Sequence, residues 1–168
     1  MDDTEDVPAS CATGLLSAPI DAPTPVLNGT AQALARGISR MLDEAGQTCL
    51  LEFTLRNGRR ADVIAMAPDG SFTIVEIKTS VSDFRADEKW PDYIEFCDRF
   101  YFAVPEDFPQ AMIPQSCGLI VADAYGAAIL RPAEETRLNG SRRKTLTLRY
   151  AETAGRRLMR LLDPASLL

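Results

Sequence analysis

Residues 61–78 read Ala61-Asp62-Val63-Ile64-Ala65-Met66-Ala67-Pro68-Asp69-Gly70-Ser71-Phe72-Thr73-Ile74-Val75-Glu76-Ile77-Lys78. Two apolar runs flank Ala67-Pro68-Asp69-Gly70, a turn with proline at its second position and glycine at its fourth. The stretch is expected to fold as a β-hairpin, and three charges are set into it: Asp62, Glu76 and Lys78. With Pro68-Asp69-Gly70 as a three-residue loop closed by a glycine bulge, Ala67 pairs with Ser71. Asp62 then lies opposite Glu76, with Cβ atoms roughly 5 Å apart on one face. Lys78, two residues beyond Glu76, points to the same face. A four-residue loop would instead place Asp62 opposite Ile77 and turn it to the other face. Like charges facing each other within apolar strands repel and are desolvated, and a bound cation is the usual reason to tolerate them. The first register therefore predicts a divalent-metal site of the phosphodiester-cleaving kind. Asp62, Glu76 and the Ile77 carbonyl would hold Mg²⁺ or Mn²⁺, and Lys78 would be the catalytic cation.

Composition narrows the chemistry. At 168 residues the chain is expected to form one folded domain over 28–168, preceded by an acidic, proline-rich tail over 1–27 that should not form a regular element. Its 46% apolar and 25% charged residues are those of a soluble globular protein. No run approaches the length of a membrane span, and the opening Met-Asp-Asp-Thr-Glu-Asp is acidic where a secretory signal would be basic. A cytoplasmic protein is the expectation. Histidine is absent, which removes Ser-His-Asp and Cys-His catalysis and histidine-ligated zinc. The cysteines, Cys11, Cys49, Cys97 and Cys117, are far apart and form no Cys-x-x-Cys pair, so they are expected as buried thiols. What chemistry remains must run on carboxylates, lysine and an oxygen-liganded metal.

The net charge of −6 looks wrong for a nucleic-acid binder until it is divided. Residues 1–30 hold five carboxylates and no lysine or arginine, while Arg131 to Arg160 hold nine basic side chains against Glu134, Glu135 and Glu152. DNA is the expected partner, and its phosphates are expected on Arg142, Arg143 and Lys144 and along the last helix at Arg149 and Arg156. Lysine is scarce: Lys78, Lys89 and Lys144 stand against fifteen arginines. Oligomeric state is not set by these patterns; a homodimer is one assembly they permit.

Along the chain, residues 28–45 carry apolar residues at helical spacing (Ala31, Leu34, Ala35, Ile38, Met41, Leu42), with Asn28 or Thr30 to cap and Gly46 to stop. Residues 49–55 predict a strand, and Arg56-Asn57-Gly58-Arg59 a turn into the strand bearing Asp62. A two-residue Asn-Gly turn puts Glu52 opposite Val63; one more loop residue puts it opposite Asp62, where it would be a third carboxylate. Residues 82–90 read as a polar stretch, with Asp83, Arg85 and Asp87 a solvated turn. Pro91 opens a helix to Cys97, and Lys89 shares a face with Tyr93 if helical geometry extends back to it. Strands are expected at 99–104 and 117–122, apolar enough to be buried on both faces, then a hairpin turn at Asp123-Ala124-Tyr125-Gly126 into 127–131. Residues 133–144 read as a polar loop. A last helix from Thr145 to Leu162 should bury Leu146, Tyr150, Ala154, Leu158 and Leu161. The order predicts an α/β sandwich, a central mixed sheet flanked by helices.

Asp62 and Glu76-Ile77-Lys78 on consecutive strands of a helix-then-meander unit resemble the PD-(D/E)XK nuclease superfamily, with Ala61 where that family often has proline. More narrowly, Gly58-Arg59-Arg60-Ala61-Asp62 and Val75-Glu76-Ile77-Lys78-Thr79-Ser80 are similar to the MmcB family of bacterial DNA-repair proteins. So are Asp83-Phe84-Arg85-Ala86-Asp87, Lys89-Trp90-Pro91-Asp92-Tyr93, Phe102-Ala103-Val104-Pro105 and Gly118-Leu119-Ile120-Val121-Ala122-Asp123. The resemblance runs from about Leu34 to Leu161. It implies a restriction-endonuclease-like fold and metal-dependent DNA cleavage in repair, with Asp62 and Glu76 on the metal and Lys78 on water. Lys89 and Tyr93 look like the Gln/Lys-x-x-x-Tyr element some of these nucleases carry. The first helix lacks the glutamate that many members place there. Either Glu52 substitutes, or the protein binds DNA without cutting it.

Overall fold

The computed structural model describes residues 29–163; the expected tail, Cys11 and the capping Asn28 lie outside them. Ten regular elements follow: α1 (Gly29–Glu44), β1 (Thr48–Thr54), β2 (Arg60–Met66), β3 (Phe72–Ile77), α2 (Val81–Ala86), α3 (Pro91–Ile94), β4 (Arg99–Val104), β5 (Gly118–Ala122), β6 (Ala127–Arg131) and α4 (Gly140–Leu162). A 3₁₀ turn at Gln110–Met112 joins β4 to β5. The six strands form one sheet in the order β1-β2-β3-β4-β5-β6. β1, β2 and β3 are an antiparallel meander, β4 and β5 run parallel to β3, and β6 returns antiparallel. This is the mixed sheet with flanking helices that the sequence predicts.

Local chemistry explains the joints. At the end of α1, Gly46 has φ +75. The Gly46 amide donates to Asp43 O (2.8 Å) and the Gln47 amide to Leu42 O (2.9 Å), which satisfies two of the helix's last carbonyls. The β2–β3 turn closes as the three-residue form: Ala67 N donates to Ser71 O at 2.9 Å, with Gly70 at φ +78. The β1–β2 turn also has three loop residues. Leu55 N donates to Arg59 O (2.7 Å) and Gly58 takes φ +80, so Glu52 falls between the pairs Leu51↔Val63 and Phe53↔Ala61, opposite Asp62.

The sheet buries both faces. α1 covers one with Leu34, Ala35, Ile38 and Leu42, against Val63, Val75, Ile77, Ala103 and Ile120. The other packs Ile64, Phe72, Ile74, Phe100 and Phe102 against Tyr93, Cys97, Leu146 and Tyr150 from α3, α4 and the turn after α3. All six β3 residues and five of the six in β4 are buried, as two-sided cover requires.

Three expectations are corrected. The stretch after Lys78 is not simply polar turn: Ser80 accepts the Asp83 amide at 3.2 Å and caps α2, a start signal that the Ser-x-x-Asp spacing carries. Residues 140–144 are not loop. Asn139 caps α4 by accepting the Ser141 amide at 2.8 Å, so Arg142, Arg143 and Lys144 stand in the first turns of a 23-residue helix. The far end of α4 does not bury its leucines: Leu158 and Leu161 are 56% and 80% exposed. There α4 turns Arg157 inward to β1, an edge strand whose outer carbonyls need partners. Arg149 Nε donates to Thr54 O (2.8 Å), Tyr150 OH to Thr48 O (2.8 Å), and Arg157 to Leu51 O and Glu52 O (2.5 and 3.0 Å).

Candidate active site

At one end of the meander the β2–β3 ladder stops at Val63↔Val75. The next pair exchanges its hydrogen bonds through side chains. Asp62 N donates to Glu76 Oε1 at 3.2 Å, and Ile77 N donates to Asp62 Oδ2 at 2.7 Å. The two carboxylates are thus held face to face in the register that the three-residue turn predicts. They line an open cleft of about 300 Å³, together with Arg60, Lys78, Asp83, Asp87 and Tyr93.

Burial dominates its electrostatics. Glu76 is 4% exposed; desolvation first, and the Asp62 charge second, push its proton affinity well above the usual carboxylate range. Desolvation raises Asp62 too, against the lowering pull of the Ile77 amide and Lys78. Lys78 is nearly buried and ion-paired to Asp87, Nζ to Oδ2 at 2.5 Å. Burial works against its charge, but Asp87 and Glu76 outweigh that and hold it as an ammonium above its ordinary value. Asp87 is depressed: burial raises it, and the Lys78 bond with the Lys89 amide more than offsets this. The reading of Asp87 as solvated is corrected here. Its side chain is 16% exposed, brought to Lys78 by the turn of α2, which nine residues of sequence separation do not reveal.

Other expected residues are placed differently. Glu52 is opposite Asp62 in register but does not line the cleft. It takes φ +50, and past it the faces of β1 invert: Leu50 packs with the α4-side core and Leu51 with the α1 side, yet Phe53 and Leu55 both join the α4 side. Its buried carboxylate is ion-paired to Arg60, with neither oxygen in hydrogen-bonding geometry. Burial raises its proton affinity. Tyr93 does reach the cleft, and its hydroxyl donates to Arg60 O at 3.1 Å. Burial, then Glu76 and Asp62, push the phenol up so that it stays protonated. Lys89 is exposed and outside the cleft lining; α3 begins at Pro91, and behind it only Asp92 N to Lys89 O (3.0 Å) and Tyr93 N to Trp90 O (3.1 Å) continue the turn.

Of the basic residues expected on DNA, Arg143 is a fold anchor. It forks onto Asp98 at 2.7 and 3.0 Å and reaches Gly70 O at 2.6 Å. Arg149 is tied to β1, Arg142 meets Glu95 at 3.3 Å and Arg156 meets Glu152 at 2.9 Å, while Lys144 is exposed. Sequence reasoning missed Asp98, which also accepts the Phe72 and Leu138 amides (2.7 and 2.9 Å). Nothing in Cys97-Asp98-Arg99 marks it before the chain is folded.

Fold and cleft together define an α/β domain with a carboxylate pair, buried Glu76 against half-buried Asp62, and an ammonium where its meander meets its parallel strands. The chain belongs to the MmcB-like family of DNA repair proteins, whose model matches residues 22–165. It is also similar to the solved SPO1766 protein of unknown function from Silicibacter pomeroyi, at 44% identity and a TM-score of 0.78, covering 80% of this chain and 92% of that one. No protein of curated function matches. Among the described residues no helix is long and apolar enough to cross a membrane.

Proposed function

We propose that the chain is a divalent-metal-dependent DNA repair nuclease that hydrolyses phosphodiester bonds in the Asp62–Glu76 cleft. The observation that carries this reading is the carboxylate pair itself, held face to face with a buried ammonium alongside. The donors are oxygens only, which suits Mg²⁺ or Mn²⁺. Among the described residues no three His, Cys, Asp or Glu side chains are gathered around a metal position. Asp62 and Glu76, with the Ile77 carbonyl, would offer Mg²⁺ two carboxylates and a carbonyl, a donor set with which that ion keeps several waters. Bound there, the ion would polarise a phosphoryl oxygen and acidify water. The chain's own residues supply the rest. A cation between Asp62 and Glu76 would relieve a repulsion that burial makes costly. Lys78 offers a fixed positive charge to the phosphate as negative charge develops on it. Asp87 holds that ammonium, and Tyr93 pins α3 to β2. The order of meander followed by parallel strands is consistent with the PD-(D/E)XK superfamily.

A second reading, a DNA-binding repair factor that keeps the fold without cutting, draws on the sequestration of Glu52 by Arg60 and of Lys78 by Asp87. One experiment separates the two. Duplex, single-stranded and branched DNA are incubated with the protein in Mg²⁺ and in Mn²⁺, beside Lys78→Met, which removes the charge and keeps most of the stem. Cleavage is expected to fall ~100-fold in the variant. Undiminished cutting by Lys78→Met would assign the activity elsewhere, and no cutting by the wild type with intact DNA binding would establish the second reading.

A further inference from the structure

A second concavity, of about 450 Å³, is lined by the turn after α3, the first half of α4 and the β1–β2 turn. Its walls combine two chemistries. Phe96 and Leu146 supply apolar surface, and Arg56, Arg142 and Arg149 supply guanidinium groups. Arg56, from the β1–β2 turn, is exposed and has no hydrogen bond or ion pair among the described residues. Arg142 meets Glu95 at 3.3 Å, but both side chains are more than half exposed, and such a pair is weak enough to exchange for a better anion. Arg149 is oriented by its bond to Thr54 O. The pocket and the cleft share a partition: Tyr93 of α3 lines the cleft, Phe96 just beyond α3 lines the pocket, and Arg59 ties this segment to the β1–β2 turn by bonding Asp92 at 2.8 and 2.9 Å.

We infer that this pocket binds one unstacked nucleotide of the DNA strand whose phosphodiester lies in the acidic cleft, an inference that rests on the proposed handling of DNA. The base packs on Phe96 and Leu146, as bases stack on aromatic side chains in single-strand binders. Its phosphate pairs with Arg56 and Arg142, whose planar forks match phosphate oxygens. One turn of chain joins the two: Phe96 N donates to Tyr93 O at 2.9 Å, so a residue of the cleft and a residue of the pocket border the same short segment. The site selects a strand with a locally unpaired base over an intact duplex, because a paired base cannot leave its stack without cost.

The test needs no catalysis. Deoxyadenosine monophosphate, deoxyadenosine and inorganic phosphate are each titrated into the metal-free protein and followed by amide NMR. The nucleotide is expected to shift the signals of Phe96, Thr145 and Arg56, and to bind more tightly than either fragment. The double variant Arg56→Ala/Arg142→Ala should bind it roughly tenfold more weakly or worse, with an unchanged spectrum elsewhere. Asp62→Ala should bind it like the wild type. Phosphate binding as tightly as the nucleotide would overturn the base contact, and loss of binding in Asp62→Ala would move the nucleotide to the cleft. Absence of any shift would overturn the pocket outright. A protein that binds the nucleotide here yet cuts nothing refutes the nuclease reading alone; one that cuts DNA but ignores the nucleotide refutes the pocket alone.

Discussion

Asp62 and Glu76 make the fold less stable at neutral pH than it would be without their charges. Both carboxyls have folded-state proton affinities raised above the ordinary carboxylate value, by burial first. Between that ordinary value and the raised one the folded state holds more protons than the unfolded state, so stability falls as pH rises through the window. Asp98 has the opposite sign. Burial raises it, but Arg143 and two backbone amides together hold it low, so its contribution is present above the carboxylate range and is lost on acidification. Glu76→Gln is accordingly expected to raise the melting temperature above the ordinary carboxylate range and to flatten its fall with rising pH, read by thermal unfolding across pH. A melting temperature that is lower in the variant at every pH would show that the Glu76 charge stabilises the fold. The same residues carry the metal prediction. Calorimetric titration with Mn²⁺ should reveal a site that Asp62→Ala abolishes, and equal binding by both proteins would remove Asp62 from the ligands.

At the scale of elements, the segment from α2 to α3 is the device that builds the cleft. β3 and β4 are parallel neighbours, so the chain must cross over between them, and this crossing brings Asp83, Asp87 and Tyr93 above Glu76 and Lys78. Phe84 of α2 anchors it edge-on against Phe102, ring centroids 5.4 Å apart, and Trp90 stacks on Phe100 at 5.8 Å. The start of α4 depends on a different anchor. Its first turn carries no acidic residue and several cations, the wrong charge for a helix N-terminus; Asp98, its side chain 1% exposed, compensates by gripping Arg143. Arg143→Ala would strand that buried carboxylate and should cost about 3 kcal/mol in urea denaturation. Arg142→Ala, whose partner is exposed, should stay within about 0.5 kcal/mol. Equal losses in the two would mean that Asp98 finds other partners.

For the whole molecule, the basic C-terminal third is largely spent on the fold. Arg143 locks α4 to the β3–β4 crossover, and Arg149 and Arg157 satisfy the edge of β1. Of the remaining cations, Arg56 and Arg142 line one pocket and Lys144 is exposed on the first turns of α4. Neutralising these three should flatten the dependence of DNA affinity on salt by about 0.9 per lost phosphate contact on a log-log plot. An unchanged slope would put the DNA on another face.

The sequence by itself determined the meander and, for each loop length it admits, which residues face each other; the structure chose three-residue loops at both turns. Pro68-Asp69-Gly70 admits few loop geometries, and once the loop length is set a period of two carries Asp62 to Glu76 with no distant contact needed. It also determined the buried strands Arg99–Val104 and Gly118–Ala122, whose continuous apolar character allows little else. Only the tertiary structure decided what each charge does. Glu52 took the position opposite Asp62 that the longer of its two possible turns gives, but a left-handed backbone turned its carboxylate to Arg60. Asp87 looked solvated until a helix folded it onto Lys78, and Arg143 looked like a phosphate contact until Asp98 claimed it from 45 residues away. Patterns along a chain record which face a side chain takes. The partner it finds there depends on burial and on segments far off in sequence, because a desolvated charge takes whichever opposite charge the packing brings within reach.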